Sequence, residues 1–246
     1  MVNGKKVIAV IQCRMESTRL PGKALLQLAG KPMLWHVIER AKAIEGIDEV
    51  IVATTTKPSD DDIVDIAKSS NCSIVRGSSE DVLSRFMLVL KHYPQIDYVV
   101  RITADNPFTD PYIASSAVKY STYGKYDFFS FVGIPIGTGV GIVSRRALER
   151  THSETNDWYH REHVTTYIIE HPDKFLIGSK LADLPIHAST IRLTVDTFTD
   201  YKQAVEIYKD LYKENEIFSI SEVIKWIDKN NREAYTGSNT VQRGIK

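Results

Sequence analysis

Residues 6–12 (KVIAVIQ), 48–54 (DEVIVAT) and 97–103 (DYVVRIT) are short, nearly unbroken apolar runs rich in Val and Ile. A strand with no polar alternation has to be buried on both faces, which is the situation of a parallel sheet covered by helices on each side. The intervening segments supply those helices. "KPMLWHVIERAKAI" places Met33, Leu34, Val37, Ile38 and Ala41 on one helical face, with Pro32 suited to the first turn. "SDDDIVDIAKSS" opens with Ser59 as an N-cap and acids in its first turn, and "SSEDVLSRFMLVLKHY" repeats the amphipathic pattern. Strand and helix alternate, so the expected fold is a three-layer α/β/α sandwich around a mostly parallel, right-handedly connected sheet.

After about residue 123 the alternation loosens. Strands are expected at 127–132 and 138–143, a helix at 156–170, strands near 174–179 and 190–195, and helices at 198–213 and 219–229. No Pro/Gly/Ser-rich linker divides the 246 residues, so one domain is expected over 1–229, with an elaboration at about 124–190 before the chain returns to the sheet. Residues 230–246 (NNREAYTGSNTVQRGIK) are polar and read as a loosely held tail.

Lys plus Arg equal Asp plus Glu at 31 each, so no overall field exists to hold a nucleic acid, and any anion site must be local. No stretch approaches a membrane span. The apolar run at the N-terminus stops at Gln12 and Arg14, too soon for a signal peptide, and Cys13 and Cys72 lack the paired spacing of zinc or redox motifs. A cytoplasmic protein is expected.

The local anion site is legible in "VIQCRMESTRLPGK" (residues 10–23), which sets Arg14, Arg19 and Lys23 with Ser17 and Thr18 just past the first strand. In open parallel sheets ligands bind at the carboxyl ends of strands. The loop lacks both the Walker spacing and Gly-x-Gly-x-x-Gly, so side-chain cations would have to meet the phosphates. Asp105 follows the strand at 97–103 in "RITADNPFTDP", and Asp196 follows an apolar run in "RLTVDTFTDYKQA". Either alone is an ordinary helix cap or turn residue. Two carboxylates facing a basic loop are what a Mg2+ ion shared between protein and triphosphate needs, which suggests nucleotidyl transfer. His160 and His163 in "WYHREHVTTY" share a helical face, but without a carboxylate companion they read better as an exposed or interface helix than as a metal pair.

The blocks "IQCRMESTRLPGKALLQLAGKPMLWHVIERA", "RGSSEDVLSRF", "RITADNPFTDP", "WYHREHVTTYIIEHPDKF" and "IRLTVDTFTDYKQA", in that order over residues 6–213, resemble the cytidylyltransferases of sugar acids. The branch most resembled is that of spore coat polysaccharide biosynthesis. The resemblance implies a nucleotide-diphosphosugar transferase-like fold, CTP as donor, an anionic sugar or related acceptor, and a homodimer. By position it implies Arg14, Ser17, Arg19 and Lys23 for the triphosphate, with Arg14, Lys23 and Asp105 as the catalytic set. Asp105 and Asp196 would hold Mg2+, and Arg76, Ser78 and Thr103 would line the base and sugar pocket. His160, Arg161, Glu162 and His163 would approach the acceptor and dimer contact.

Glu16 and Ala104 stand where the branch usually has Gly, and Gly139 and Gly141 stand where it commonly has Asp and Glu. The two glycines would leave the acceptor pocket less acidic, suited to a more anionic acceptor such as a phosphorylated one. Three readings stay open: a cytidylyltransferase, a nucleotidyltransferase using another base or a phosphorylated acceptor, and a non-catalytic nucleotide-binding partner.

Overall fold

The computed structural model describes residues 1–230 and Tyr235. In chain order the first half runs β1 (Val7–Gln12), β2 (Gln27–Leu28), β3 (Lys31–Pro32), α1 (Met33–Lys42), β4 (Glu49–Thr55), α2 (Asp61–Ser69), β5 (Ser73–Gly77), α3 (Val82–His92) and β6 (Tyr98–Thr103). The second half runs α4 (Pro111–Gly124), β7 (Phe128–Val132), β8 (Gly141–Ser144), α5 (Arg145–Glu154), α6 (Trp158–His163), α7 (Thr166–Glu170), β9 (Ile177–Leu181), α8 (Phe198–Leu211) and α9 (Ile220–Asn230).

Seven strands form one sheet in the order β5-β4-β1-β6-β8-β7-β9. The first four are parallel, β8 is antiparallel to both of its neighbours, and β7 and β9 are parallel. Every residue from Val7 to Ile11 is fully buried, as its unbroken apolar character requires. Val7, Ala9 and Ile11 face α1, α2 and α4 through Leu34, Ile63 and Ala117. Ile8 and Val10 face α3, α5 and α7 through Phe86, Leu148 and Ile168. The three-layer sandwich follows from this two-sided burial. A third core, beyond the carboxyl ends of the strands, joins α8 and α9 to Phe108, Leu193 and Val195.

Three local expectations differ from what is observed. The helix expected at 156–170 is two helices, broken where Val164 takes a φ of +52°, a conformation a β-branched residue adopts only under constraint. The strand expected near 190–195 makes only an isolated bridge, Ile136 to Arg192. Ser59 does not cap α2; Pro58–Asp60 form a 3-10 turn ahead of it. Strand β5 and helices α4 and α5 had no distinct signal: α4 carries Ser, Thr and Tyr that blur its apolar stripe. The tail expected at 230–246 lies outside the described residues except for Asn230 and Tyr235, and Tyr235 is buried against the third core.

Asp60, 1% exposed, shows how the fold sets the loop after β1. Its carboxylate accepts hydrogen bonds from the Thr54 and Thr55 hydroxyls, the Thr55 amide and, in the loop itself, the Met15 amide. Burial alone would raise its pKa, but these donors outweigh burial and hold it below the ordinary 3.8. Asp60→Asn should cost about 2 kcal/mol in urea unfolding at pH 7, since one acceptor oxygen becomes a donor. A depressed carboxylate stabilises fully above its unfolded pKa and loses that contribution as pH falls through the lower folded value. The difference between natural chain and variant should therefore shrink below pH 3.8; equal stability at pH 7 would show that Asp60 does not clamp the loop.

Candidate active site

The loop after β1, the turn after β6, the segment before α8 and the end of α6 converge at the carboxyl edge of the sheet. They enclose a cleft of about 480 Å³. The Lys23 ammonium lines it, 2.7 Å from Asp105 Oδ2, 3.1 Å from Asp196 Oδ1 and 3.0 Å from the Val195 carbonyl oxygen. Arg19 pairs with Asp196 Oδ1 at 2.8 Å and Arg192 with Asp196 Oδ2 at 2.6 Å.

Neither aspartate is a helix cap. Thr197 caps α8 in a capping box with Asp200, whose carboxylate also accepts from the Asp196 amide. Asp110 caps α4, accepting from the Tyr112 and Ile113 amides. The side chains of Asp105 and Asp196 are thereby left to face the cleft. Burial works to raise the Asp196 pKa, yet Lys23, Arg19 and Arg192 together hold it below the usual carboxylate range.

The two carboxylate oxygens converge on one cation position, now held by an ammonium. That donor set suits Mg2+, which takes one or two carboxylates and completes its shell with phosphate oxygens and water. No group of three or more His, Cys, Asp or Glu that could hold a metal ion occurs among the described residues.

Of the sequence-derived site residues, Arg14, Ser17, Arg19, Lys23, Thr103, Asp105, Glu162, His163 and Asp196 line the cleft. Arg14 donates to the Ser79 carbonyl at 2.8 Å and to Glu162 Oε1 at 2.9 Å, so α6 reaches the loop after β1 directly. His163 is pulled below the ordinary histidine value by burial and by the nearby Arg101.

The remaining residues sit elsewhere. Arg76 is consumed by the Thr55 and Lys57 carbonyls and by Asp61, and the Ser78 hydroxyl accepts from the Glu80 and Asp81 amides. Neither lines the cleft, and neither do His160, Arg161, Gly139 or Gly141. His160 bonds Glu170 and Thr155, while Arg161 pairs with Asp81 at 2.6 Å, staking α6 to the start of α3. A side chain at Gly139 would strike Ile134, and one at Gly141 would strike Phe128, so both glycines answer to packing. Glu16 turns to Lys57 at 2.5 Å, and Ala104 is buried at the cleft wall.

Sequence reasoning missed Arg85, Arg101, Gly137 and Arg192. Gly137 had a physical reason to be Gly: its φ is +92°, and a Cβ would lie 2.5 Å from the Thr194 amide nitrogen. Arg85 and Arg101 sit inside a helix and a strand read only for their apolar pattern.

The model of the cytidylyltransferase family matches residues 8–235. The chain belongs to the cytidylyltransferase family. It is a nucleotidyltransferase, with the family's mostly parallel sheet between helical layers. The spore coat polysaccharide biosynthesis protein SpsF of Bacillus subtilis is 29% identical to this cytidylyltransferase, over 91% of this chain and 95% of SpsF. The solved cytidylyltransferase of Leptospira borgpetersenii is 31% identical with a TM-score of 0.87, over 96% of this chain and 99% of that one. CMP:2-keto-3-deoxy-manno-octonic acid synthetase, solved in complex with CTP, is 17% identical with a TM-score of 0.64, over 85% of this chain and 100% of that one, and shares the fold. No helix among the described residues is long and apolar enough to cross a membrane.

Replacing Lys23 by Met removes the ammonium 3.1 Å from Asp196 Oδ1 and leaves burial working to raise the Asp196 pKa. The Asp196 carboxyl carbon, followed by NMR, should titrate below 3.8 in the natural chain and at a higher pH in Lys23→Met. An unmoved titration would show that Arg19 and Arg192 alone set the charge.

Proposed function

We propose that this cytidylyltransferase moves CMP from CTP to a sugar acid or related anionic acceptor, releasing pyrophosphate, with Mg2+, in surface-glycan or conjugate biosynthesis in the cytoplasm. The observation that carries the reading is the Lys23 ammonium held between Asp105 and Asp196, with Arg19 and Arg192 alongside. This is a cation-rich pocket at the sheet edge whose carboxylates can pass from an ammonium to a metal. The CTP complex of the fold relative supports the choice of donor, and the pathway of SpsF supports the class of product.

In the reaction an acceptor oxygen forms a bond to the α-phosphorus while the bond from that phosphorus to the pyrophosphate oxygen breaks. The hydroxyl proton leaves to water, and negative charge grows on the departing pyrophosphate. Lys23 and Arg19 already stand at the cleft beside Asp105 and Asp196, and exchanging those carboxylates for phosphate oxygens brings them to meet that charge. Ser17 and Thr103 complete the nucleotide's surroundings, while Arg14, expected from the sequence at the triphosphate, is bonded instead to Ser79 and Glu162, away from the Lys23 ion pairs. Asp105 and Asp196 would hold Mg2+, which supplies charge neutralisation at the phosphate oxygens. The 124–190 elaboration brings Glu162 and His163 to the acceptor side. It also exposes the apolar side chains Trp158, Leu176 and Leu181, and on this elaboration we place a homodimer contact.

Pyrophosphate release should be fastest with CTP among the four nucleoside triphosphates, when assayed with a panel of sugar acids and phosphorylated sugars. Lys23→Ala should lower turnover at least about tenfold, and Asp105→Asn and Asp196→Asn should each abolish the Mg2+-dependent rate. Equal rates with all four triphosphates would contradict the choice of base; unchanged rates in the three variants would contradict the site. Light scattering that gives a monomer mass would remove the dimer.

A further inference from the structure

Six cationic and four acidic side chains line the cleft, and they fall into two groups. Lys23, Arg19 and Arg192 are each ion-paired to Asp105 or Asp196. Arg14, Arg85 and Arg101 are placed differently. Among the described residues only Arg14 of the three has a carboxylate partner, Glu162 at 2.9 Å.

Arg85 is 1% exposed; its Nη1 donates to the Ser78 carbonyl at 2.6 Å, and its Nε has no hydrogen-bond partner among the described residues. Arg101, on β6, donates from Nε to Gln12 Oε1 at 3.0 Å, a neutral acceptor. Asp60 and Asp105 act on these two arginines from a distance, but Asp60 is committed to Thr54, Thr55 and the Met15 amide, and Asp105 to Lys23. Glu162 reaches both electrostatically without bonding either.

Burying a guanidinium without a carboxylate carries a penalty that an apolar side chain would avoid, so Arg85, buried, and Arg101, half-buried at the same cleft, call for a ligand. A lone carboxylate against three guanidiniums leaves an excess of two positive charges, which a phosphate dianion matches and which guanidinium forks are shaped to bind.

We propose that Arg14, Arg85 and Arg101 form a second anion seat, separate from the one around Lys23, which takes the phosphate of a phosphorylated acceptor, and that Glu162 fills it from α6 until that phosphate arrives. The assignment to an acceptor rests on the reading of the chain as a transferase from CTP. It moves the acceptor question from Gly139 and Gly141, which pack outside the cleft, to two arginines that line it.

The test is calorimetric titration of inorganic phosphate into the enzyme alone and into the enzyme saturated with CTP. Phosphate should bind in both cases. Glu162→Gln should tighten it about fivefold, because the competing carboxylate is gone, and a gain of affinity cannot come from misfolding. Arg101→Gln should weaken phosphate at least about tenfold while the Kd for CTP changes less than about twofold. Acetate at the same concentration should not compete. No gain in Glu162→Gln, equal loss of CTP and phosphate in Arg101→Gln, or equal competition by acetate would overturn the proposal. If CTP fails to bind the natural chain, the transferase reading falls, while the nucleotide-free phosphate arm still decides whether the seat exists.

Discussion

One ammonium, that of Lys23, ties together three stretches far apart in sequence: the loop after β1, the turn at Asp105 and the segment at Asp196. Its side chain is only 15% exposed and that of Asp196 12%, so the desolvation of each charge has to be met by the other. The rest of the site depends on this contact. It sets the distance between the basic loop and the strand ends, and it keeps two carboxylates at a spacing that suits a single cation.

A site held this way is ordered before substrate arrives. Asp200 holds the Asp196 backbone from the first turn of α8, Asp110 caps α4 and also accepts from the Ile220 amide that starts α9, and Asp60 holds the loop at Met15. None of these three acids is offered to the cleft; each spends its charge on backbone amides or hydroxyls. The same chain therefore uses carboxylates in two ways, as buried brackets that fix loops and as cleft groups whose cationic partners can be exchanged. In the proposed reaction, nucleotide phosphates replace carboxylates as partners of Lys23 and Arg19, and little backbone has to move.

Much of this was legible in the sequence, because β1, β4 and β6 are buried on both faces and only an unbroken apolar run can satisfy that position. The rule that ligands bind at strand carboxyl ends pointed to Arg14, Arg19, Lys23 and Asp105, whereas Asp196 follows an apolar run that makes only an isolated bridge. What escaped notice has physical reasons. Val164 breaks the helix through a tertiary constraint that local pattern does not register. Arg76, in a block that resembles the family's, is drawn off by the Thr55 and Lys57 carbonyls and Asp61, because it closes the edge of the sheet beside β4. Arg85 and Arg101 interrupt apolar patterns at positions where a charge needs a reason, and periodicity averages over such interruptions.

The central claim is that Asp105 and Asp196 serve a metal–nucleotide complex and not only Lys23. The most direct measurement is the affinity for CTP by calorimetry with and without Mg2+, in the natural chain and in the Asp105→Asn/Asp196→Asn double variant. The account predicts that Mg2+ tightens CTP binding at least about tenfold in the natural chain and makes no difference in the double variant. The same gain from Mg2+ in both proteins would contradict it.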